Sequence, residues 1–286
     1  MAERMGEIGL YYRGFFMKVS VIITTYKRPQ HLKEAIESVL AQNFSDFELI
    51  VVDDNPLEND SEKIVRSSSD PRIVYVKNER NLGGAKSLNT GLNRARGEYI
   101  AILDDDDAWI GRDKLRKQTS FLDRNPGYVI VGTGTIYVDA QTGKEISKDK
   151  SWAEIKNNKN FLYFSHPFSH SSAFYRKKNV LEVGGYNESL PRGKDLDLYF
   201  RIAEDGKFGL LPERLVKHRE VSAAERNLIE TRHTDAIFQK KVLWQHRKNN
   251  IYFWLAYLKI NIRCFLFFFL RIFPFPYDIY RKIRYG

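Results

Sequence analysis

Four consecutive aspartates, Asp104, Asp105, Asp106 and Asp107, directly follow the apolar segment "EYIAIL". Adjacent carboxylates repel one another, so we expect a bound cation to neutralise them. On an extended chain, residues two apart point to the same side, which pairs Asp104 with Asp106. Mg²⁺ and Mn²⁺ prefer such hard oxygen ligands, often one or two carboxylates together with substrate phosphates. The alternative is an acidic helix cap, for which Asp107 alone would be enough.

Two more polar clusters end apolar segments that are typical of buried strands. The segment "KVSVIITTY" contains Thr24 near its end, and "FELIVVDD" ends in Asp53 and Asp54. In a parallel sheet the carboxyl ends of the strands share one edge, where ligands of such folds bind. Turn chemistry would explain each cluster separately but not their common position. We therefore expect a binding site at this edge.

The elements that would position these clusters alternate between strand and helix patterns. Helices of this length between strands predict an α/β fold with a parallel sheet that is covered on both faces. Beyond residue 125 the pattern loosens into strand- or hairpin-like segments followed by helices. The predicted strands are 18–26, 47–54, 72–78, 98–103, 128–139 and 169–177, and the predicted helices are 30–42, 60–68, 84–96, 194–205 and 222–249.

Four blocks of the sequence together resemble the family 2 glycosyltransferases in order and spacing. They are "VSVIITTYKRP", "LIVVDDN", "NLGGAKSLNTGLNRARGEYIAILDDDDAW" and "GGYNESLPRGKDLDLYFRI", and the resemblance covers residues 18–218. It implies a GT-A fold, which is a Rossmann-like, mostly parallel nucleotide-binding sheet flanked by helices. It also implies an inverting transferase that moves a sugar from a nucleotide sugar, with a UDP-sugar favoured, to an acceptor hydroxyl. We divide the chain into an N-terminal extension (1–16), a GT-A domain (17–220) and a basic, aromatic, helical C-terminal segment (221–286).

The resemblance assigns the polar residues at the ends of "KVSVIITTY" and "FELIVVDD" to the nucleoside of the donor. Thr24 and Tyr26 would line the nucleoside pocket. Asp53 or Asp54 would meet the base and the ribose, because a carboxylate can accept a hydrogen bond from the imide N–H of uracil or thymine. For one of these two aspartates, an Asx turn after the strand is the alternative.

The diphosphate and its metal ion are assigned to the acidic run and to the loop before the predicted helix 84–96. Asp104 and Asp106 would be the paired ligands of a D-x-D motif for Mn²⁺ or Mg²⁺, and Asp105 would lie beside the donor. Many family members have an arginine just before the residue equivalent to Asn89. This chain has Leu88 there and lacks the arginine. Lys86 is the expected replacement, with Asn89 beside it. The glycine pair in this loop is also an ordinary helix-entry signal.

An inverting transfer requires a base that takes the proton of the acceptor hydroxyl. The resemblance places that base at Asp195 in "GKDLDLYFRI", where Lys194 replaces the usual Glu or Gln. A neighbouring cation favours the ionised carboxylate. The alternative for Asp195 is a helix cap. Asp197 is predicted to be structural or to face the acceptor.

Three further side chains are candidates for the acceptor or diphosphate side of the site. His170 and His218 would contact the diphosphate or the metal, although a single histidine is more often a hydrogen-bonded structural residue. Trp109, next to the aspartates, would shape the pocket of the donor sugar, with packing in the core as the alternative.

Basic residues are concentrated in the last 47 residues, where ten Lys and Arg face one acid, so that this part contributes +9 (10 − 1) of the net charge of +10. Within it, segment 251–273 is strongly apolar and aromatic but is interrupted by Lys259, Arg263 and Arg271. A helix with a cationic stripe beside an apolar face is typical of an interfacial membrane helix. A membrane span, packing on the catalytic domain and pairing with a second copy are the alternatives.

These features predict a peripheral protein on the cytoplasmic face of a membrane that acts on a glycan or a lipid-linked acceptor. No recognised nucleic-acid motif accompanies the positive charge, which argues against a nucleic-acid partner. The single cysteine, Cys264, excludes an internal disulfide framework and fits a reducing compartment. The alternatives are a sugar nucleotidyltransferase, whose N-terminal glycine-rich signature is replaced here by "TTYKRP", and an inactive membrane-docked binding module.

Overall fold

The computed structural model describes residues 17–148, 159–164, 166–204, 206–220, 228–248 and 250–272, so the N-terminal extension (1–16) lies outside the described residues. The strands are β1 Val19–Thr25, β2 Phe47–Asp53, β3 Ile73–Lys77, β4 Tyr99–Asp104, β5 Ala108–Trp109, β6 Tyr128–Asp139, β7 Glu145–Lys148, β8 Phe174–Arg176 and β9 Lys207–Glu220. The helices are α1 Pro29–Leu40, α2 Asp60–Ser67, α3 Gly84–Arg94, α4 Lys114–Arg124, α5 Lys177–Glu182, α6 Lys194–Ile202, α7 Leu228–Gln245 and α8 Ile251–Ile272. Two 3₁₀ turns span Lys159–Tyr163 and His170–Ser172.

The described strands form one mixed sheet in the order β3-β2-β1-β4-β8-β6-β9-β5, with β7 paired to β6. Strands β1 to β4 are parallel, as predicted, whereas β8 runs antiparallel to both β4 and β6. The chain leaves β1 towards β2 and β3 and then returns to the other side of β1 with β4. This reversal of strand order creates a crevice at the carboxyl ends of β1 and β4, where such sheets bind ligands.

Alternate residues of the central strands pack on opposite faces of the sheet, as the two-residue period of a strand requires. In β1, Val21 and Ile23 face the cluster that contains Ile36 of α1, whereas Ile22 faces the cluster that contains Leu88 of α3. Both faces of the sheet are therefore covered by helices, as the continuous apolar runs of the strands predict.

Two segments beyond residue 125 differ in detail from the sequence prediction. Segment 128–139 is one long strand, β6, and not a hairpin. The predicted strand 169–177 is wrong in its first half, which forms a 3₁₀ turn, and correct for Phe174–Arg176. The turn is stabilised locally, because the Ser172 N–H and hydroxyl both donate to the carbonyl of Ser169, each at 3.0 Å. This turn brings His170 and Ser171 to the crevice.

The C-terminal helices α7 and α8 pack on the catalytic part of the chain and share its core. Their buried side chains belong to the same apolar cluster as α3 and α6. Ring contacts and hydrogen bonds join the helices to each other: for example, the Trp244 and Tyr257 rings lie 5.4 Å apart, and Lys240 Nζ donates to Asn261 Oδ1 at 2.5 Å. The buried residues of the pair are Ala236, Val242, Leu243, Phe253, Ala256, Ile260 and Phe267.

Lys114, the first residue of α4, is a fully buried lysine. Its Nζ donates to Gln118 Oε1 at 2.8 Å and lies 4.0 Å from the centroid of the Trp109 ring. Burial lowers the pKa of Lys114 well below its usual value, because the charged form loses its hydration. The folded state therefore favours the neutral amine of Lys114.

We expect Lys114→Met to raise the midpoint of thermal unfolding by a few degrees, since about 1 kcal/mol corresponds to about 2–4 °C in a chain of this size. Methionine fills a similar volume without an ammonium group to desolvate. Because the folded pKa lies below the unfolded one, the wild type gains stability as pH rises between the two values.

The advantage of Lys114→Met over the wild type should therefore be larger at about pH 7 than at about pH 10, near the unfolded pKa of lysine. Calorimetric melting at both pH values measures it. Lys33→Met on α1, where the lysine side chain is 65% exposed, is the matched control. A midpoint for Lys114→Met at or below that of the wild type at about pH 7 would contradict the prediction.

Candidate active site

The register of the central strands brings the three polar clusters together. Thr24 of β1 lies opposite Asp104 of β4, and Thr25 lies opposite Asp53 of β2. The Asp54 N–H donates to the carbonyl of Thr25 at 2.9 Å, which extends the contact past the end of the strands. The prediction that these clusters share one edge of the sheet is confirmed.

Arg28 neutralises part of the charge of two aspartates of the acidic run, Asp105 and Asp106. Arg28 Nη1 donates to Asp106 Oδ2 at 2.7 Å and to Asp105 Oδ1 at 3.1 Å. Asp105 is buried and also accepts a hydrogen bond from the Thr25 hydroxyl at 2.7 Å. Burial raises the pKa of Asp105 to about 6, against the opposing effect of Thr25. The expectation that the neutralising charge is supplied by a bound cation is thus incomplete.

Asp107 does not cap the following helix, so that interpretation is wrong. Helix α4 begins only at Lys114, and its N-cap residue is Asp113. The Asp107 carboxylate is fully buried and accepts hydrogen bonds from Ser171 Oγ at 2.5 Å and from the Arg219 N–H at 3.2 Å. It therefore anchors the acidic turn to β9 and to the 3₁₀ turn.

His218 completes the partners of Asp107, with its Nδ1 2.9 Å from Asp107 Oδ1. Burial alone would lower the pKa of His218, but the hydrogen bond and charge of Asp107 raise it to about 9. Arg219, the next residue, donates from Nη1 to the Asp106 carbonyl at 2.7 Å. His218 and Arg219 thus add positive charge under the acidic turn. Arg28, which lies within the block "VSVIITTYKRP", and Arg219, which follows the region of resemblance (18–218), were not predicted from the sequence.

Asp104 is held by a chain of hydrogen bonds from the opposite side of the crevice. His170 Nδ1 lies 3.0 Å from Asp104 Oδ1, and His170 Nε2 lies 2.9 Å from the Tyr186 hydroxyl. Tyr186 in turn shares a 2.5 Å hydrogen bond with the Tyr175 hydroxyl. Burial opposes ionisation of Asp104, but His170 lowers the pKa of this carboxyl to about 2. Asp104 is therefore ionised, and His170 has the hydrogen-bonded arrangement that was the alternative to a ligand contact.

The acidic turn suits a divalent cation by the chemistry of its donors. Asp104 and Asp106 present carboxylate oxygens with side chains 38% and 29% exposed, whereas Asp105 and Asp107 are buried. Among the described residues, no group of three or more His, Cys, Asp or Glu side chains is placed to hold a metal ion. Two accessible carboxylates without further protein ligands fit an ion such as Mg²⁺, which completes its coordination with substrate phosphates and water.

The aspartates after β2 organise the loops around the nucleoside edge. Asp53 accepts from the Asn55 N–H at 2.9 Å, which is an Asx turn, and from the Tyr75 hydroxyl at 2.7 Å. Asp54 accepts from the Leu82 and Gly83 N–H groups, each at 2.8 Å. Both carboxylates are buried. The Asx-turn alternative describes Asp53, and Asp54 fixes the loop that leads into α3.

The other predicted donor residues differ in how open they are to a ligand. Tyr26 is 44% exposed, and Thr24 is half-buried at the crevice. Asn89 uses both ends of its amide on the loop before α6, because its Nδ2 donates to the Tyr186 carbonyl at 2.9 Å and its Oδ1 accepts from the Tyr186 N–H at 2.8 Å. Lys86 is exposed, and its Nζ lies 3.7 Å from Glu188. Donor contacts by these residues stay predictions.

Trp109 lies in the core, and the packing alternative describes it. Its ring is 4% exposed, and its Nε1 donates to the Ser171 carbonyl at 2.9 Å. Its predicted role in shaping the pocket of the donor sugar stays a prediction.

The candidate base Asp195 stands in the first turn of α6. The N-cap residue of this helix is Gly193, with φ of 72°, a left-handed conformation that favours glycine, so Asp195 is not the cap. Its carboxylate is 21% exposed, and its Oδ2 lies 3.3 Å from His166 Nε2. Burial opposes ionisation, but His166, His170 and Lys194 hold the pKa of Asp195 far below its usual range. A role for His166 was not predicted from the sequence. The only signal there is its proximity to His170 in "SHPFSH".

Asp197, two residues further along α6, is structural. It is buried, and its Oδ2 accepts hydrogen bonds from Arg201 Nε at 2.9 Å and Nη2 at 2.7 Å. Its Oδ1 lies 2.8 Å from Nε2 of His246, which follows α7. The His246 ring also stacks on Phe200 with centroids 4.9 Å apart. The helix that carries Asp195 is thus fastened to the C-terminal helices.

Comparison with known proteins agrees with this architecture. The sequence matches the model of Glycosyl transferase family 2 over residues 20–185. An uncharacterised glycosyltransferase of Methanocaldococcus jannaschii is 35% identical over 250 residues, which are 84% of this chain and 84% of that protein. The Escherichia coli UDP-Glc:alpha-D-GlcNAc-diphosphoundecaprenol beta-1,3-glucosyltransferase WfgD is 32% identical over 181 residues, 57% of this chain and 70% of that protein.

The fold is shared with a solved structure of low sequence identity. The mannosyltransferase PcManGT from Pyrobaculum calidifontis, in complex with GDP-Man and Mn²⁺, has a TM-score of 0.64 at 19% identity, covering 85% of this chain and 68% of that one. The mixed sheet with its flanking helices has the GT-A fold of glycosyltransferases. Within that class, the chain belongs to glycosyl transferase family 2.

Proposed function

We propose that this glycosyltransferase moves a sugar from a nucleotide-diphosphate sugar, with a UDP-sugar favoured, to an acceptor hydroxyl and inverts the anomeric centre. The observation that carries this proposal is the ionised carboxylate of Asp195 on the crevice that also holds the acidic turn. One residue connects the two features: His170 hydrogen-bonds Asp104 and also lowers the pKa of Asp195. The donor class is supported by the nucleotide sugars named for two similar proteins, UDP-Glc for WfgD and GDP-Man for the PcManGT complex.

Asp195 is the base in this mechanism. As the acceptor oxygen attacks the anomeric carbon, its proton passes to the Asp195 carboxylate, and the carbon–oxygen bond to the nucleoside diphosphate breaks on the opposite face. One attack from the face opposite the leaving group inverts the centre. His166 keeps the carboxylate ionised and fixes its orientation before the acceptor binds.

Asp104 and Asp106 would hold the divalent ion, Mn²⁺ or Mg²⁺. When bound, such an ion neutralises the charge that develops on the diphosphate as it leaves. His170 and Arg28 orient these two carboxylates, and the buried Asp107 keeps the turn in place. The Mn²⁺ in the PcManGT complex supports this assignment.

The donor class is tested by thermal unfolding of the full chain with a panel of nucleotide sugars and Mn²⁺. A donor that binds the folded state raises the midpoint by mass action. At a concentration 100 times its dissociation constant it adds about 2.7 kcal/mol to the free energy of unfolding. Release of nucleoside diphosphate with a glycan or a lipid-linked acceptor then confirms transfer. If no nucleotide sugar raises the midpoint, the proposal is wrong.

We further propose that α8 lies on a membrane surface, which would suit a lipid-linked acceptor of the kind named for WfgD and place the enzyme peripherally on the cytoplasmic face. Residues Ile251–Phe268 have a mean hydropathy of 1.4, and 22% of this window is buried; within the described part of the chain, this helix alone is long and apolar enough to cross a membrane. Its inner face packs on the core, but its outer face is apolar and open. The exposed residues, each 42–67% accessible, are Ile251, Tyr252, Trp254, Leu255, Leu258, Ile262, Phe265, Leu266 and Phe268.

Charge near this face favours a lipid surface over a second copy of the chain. Lys259 is exposed beside the apolar face, and the exposed Lys241 and Arg247 lie on or just after α7, whereas Lys248 is paired with Glu204 at 2.6 Å. Like charges repel across a symmetric contact, whereas anionic headgroups attract them, by about 1 kcal/mol for each residue near the surface. An apolar face with flanking cations is the pattern of an interfacial helix.

The combined substitution of Leu258→Glu and Phe265→Glu should abolish binding to vesicles of phosphatidylcholine and phosphatidylglycerol. Burial of each such side chain contributes about 1.5–3 kcal/mol, so loss of both should weaken binding at least about 100-fold. Co-sedimentation of the full chain with the vesicles measures it. Leu181→Glu on α5, where the leucine is 46% exposed, should bind like the wild type. Equal sedimentation of the double variant and the wild type would exclude this face.

A further inference from the structure

Lys194 is a cation in the crevice without a role in the proposed mechanism. It is the first residue of α6 and directly precedes the candidate base. Its side chain is half-buried, yet among the described residues its Nζ makes no hydrogen bond or ion pair. A half-buried ammonium that makes no hydrogen bond has its N–H donors available for an anionic ligand.

The position of Lys194 is fixed by its neighbours on two other elements. Its Nζ lies against Gly84, the first residue of α3, where a side-chain Cβ would stand 3.5 Å from it. The first turn of α3 presents backbone N–H groups that favour an anion. Lys194 also lies close enough to Asp104 and Asp195 to lower the pKa of each, after the larger effects of burial and of the histidines. It therefore stands between the base, the acidic turn and the start of α3.

We propose that Lys194 binds the diphosphate of the nucleotide donor, and that it is the phosphate-binding cation for which the sequence indicated Lys86. This inference rests on the proposed function, because it needs a nucleotide donor in the crevice. Lys86 is less suited, since it is exposed and its Nζ lies near the carboxylate of Glu188. A phosphate in the crevice would instead receive a charge-assisted hydrogen bond from Lys194 and the N–H groups of α3.

The test compares binding of a nucleoside diphosphate, UDP or GDP according to the donor found, with binding of the nucleoside alone. Isothermal calorimetry of the full chain with Mn²⁺ gives both affinities. Lys194→Gln should weaken the nucleoside diphosphate about 10- to 100-fold, the range expected for one hydrogen bond to a charged group, and leave the nucleoside unchanged. Lys194→Arg should restore most of the loss. Lys63→Gln on α2, where the lysine is 75% exposed, should bind like the wild type.

Other results overturn the inference in distinguishable ways. Wild-type affinity of Lys194→Gln for the nucleoside diphosphate, or an equal loss for the nucleoside, shows that Lys194 does not bind the phosphates. If Lys86→Gln alone shows the selective loss, Lys86 is the phosphate-binding residue. If only the KM for a lipid-diphosphate acceptor rises in Lys194→Gln, the anion belongs to the acceptor. If the wild type binds no nucleoside diphosphate at all, the proposed function fails together with this inference.

Discussion

Asp195→Asn should abolish measurable sugar transfer while leaving donor binding intact. A positioned base typically accelerates proton transfer by about 10²- to 10⁴-fold, and asparagine keeps the shape of the side chain without accepting a proton. Because the low pKa of Asp195 keeps the wild-type carboxylate ionised, the loss should persist across the neutral range of pH. The assay is release of nucleoside diphosphate in the presence of an acceptor, together with calorimetric binding of the donor.

The matched control is Asp113→Asn at the N-cap of α4, which should transfer sugar like the wild type. Thermal unfolding must show that Asp195→Asn is folded, since its contact with His166 is lost or weakened. A variant that retains transfer within a few-fold of the wild type would remove Asp195 as the base. Loss of donor binding in step with activity would make it a structural residue.

Asp106→Asn should remove the dependence of donor binding on Mn²⁺. Even partners that only orient metal ligands cost about 10–100-fold in metal affinity when replaced, so loss of a ligand should cost at least about 100-fold. The turn itself should persist, because Asp105 and Asp107 are buried and keep their partners on Thr25 and Ser171. Replacing the carboxylate of Asp106 also releases Arg28 from its shortest contact in the crevice.

Binding of Mn²⁺ in the presence of nucleoside diphosphate, followed by electron paramagnetic resonance, measures this effect without relying on turnover. Asp60→Asn at the start of α2 removes a distant carboxylate and should leave the signal of bound Mn²⁺ unchanged. Unaltered Mn²⁺ affinity in Asp106→Asn would exclude Asp106 as a ligand.

The parallel half of the fold could be predicted because its patterns are local. Buried parallel strands such as β1 and β2 are continuous apolar runs, and helices between them show a period of about 3.6 residues. Because the carboxyl ends of parallel strands share one edge of the sheet, Thr24, Asp53 and Asp104 could be placed together without any knowledge of long-range contacts. The antiparallel half was less predictable, because the pairing of β8 with both β4 and β6 depends on tertiary contacts that leave no periodic signal.

The environment of the acidic turn was the least predictable part of the site. Its partners come from positions far apart in the chain, with Arg28 at the end of one loop and His218 and Arg219 on β9. A sequence shows which residues are charged but not which of them meet. For the same reason the sequence could not show that Trp109 donates to the Ser171 carbonyl or that Asn89 donates to the Tyr186 carbonyl.

The fastening of α6 to the C-terminal helices has a practical consequence for the choice of expression fragments. The resemblance to the family ends near residue 218, and a natural cut would follow β9. Such a cut would deprive the buried Asp197 carboxylate of His246 and would uncover the apolar surface of α6 that α7 and α8 protect. The shorter protein would then carry the complete family signature in its sequence while its base stood on an unsupported helix. A soluble, active preparation should therefore be sought by making the outer face of α8 polar at full length, and not by truncation.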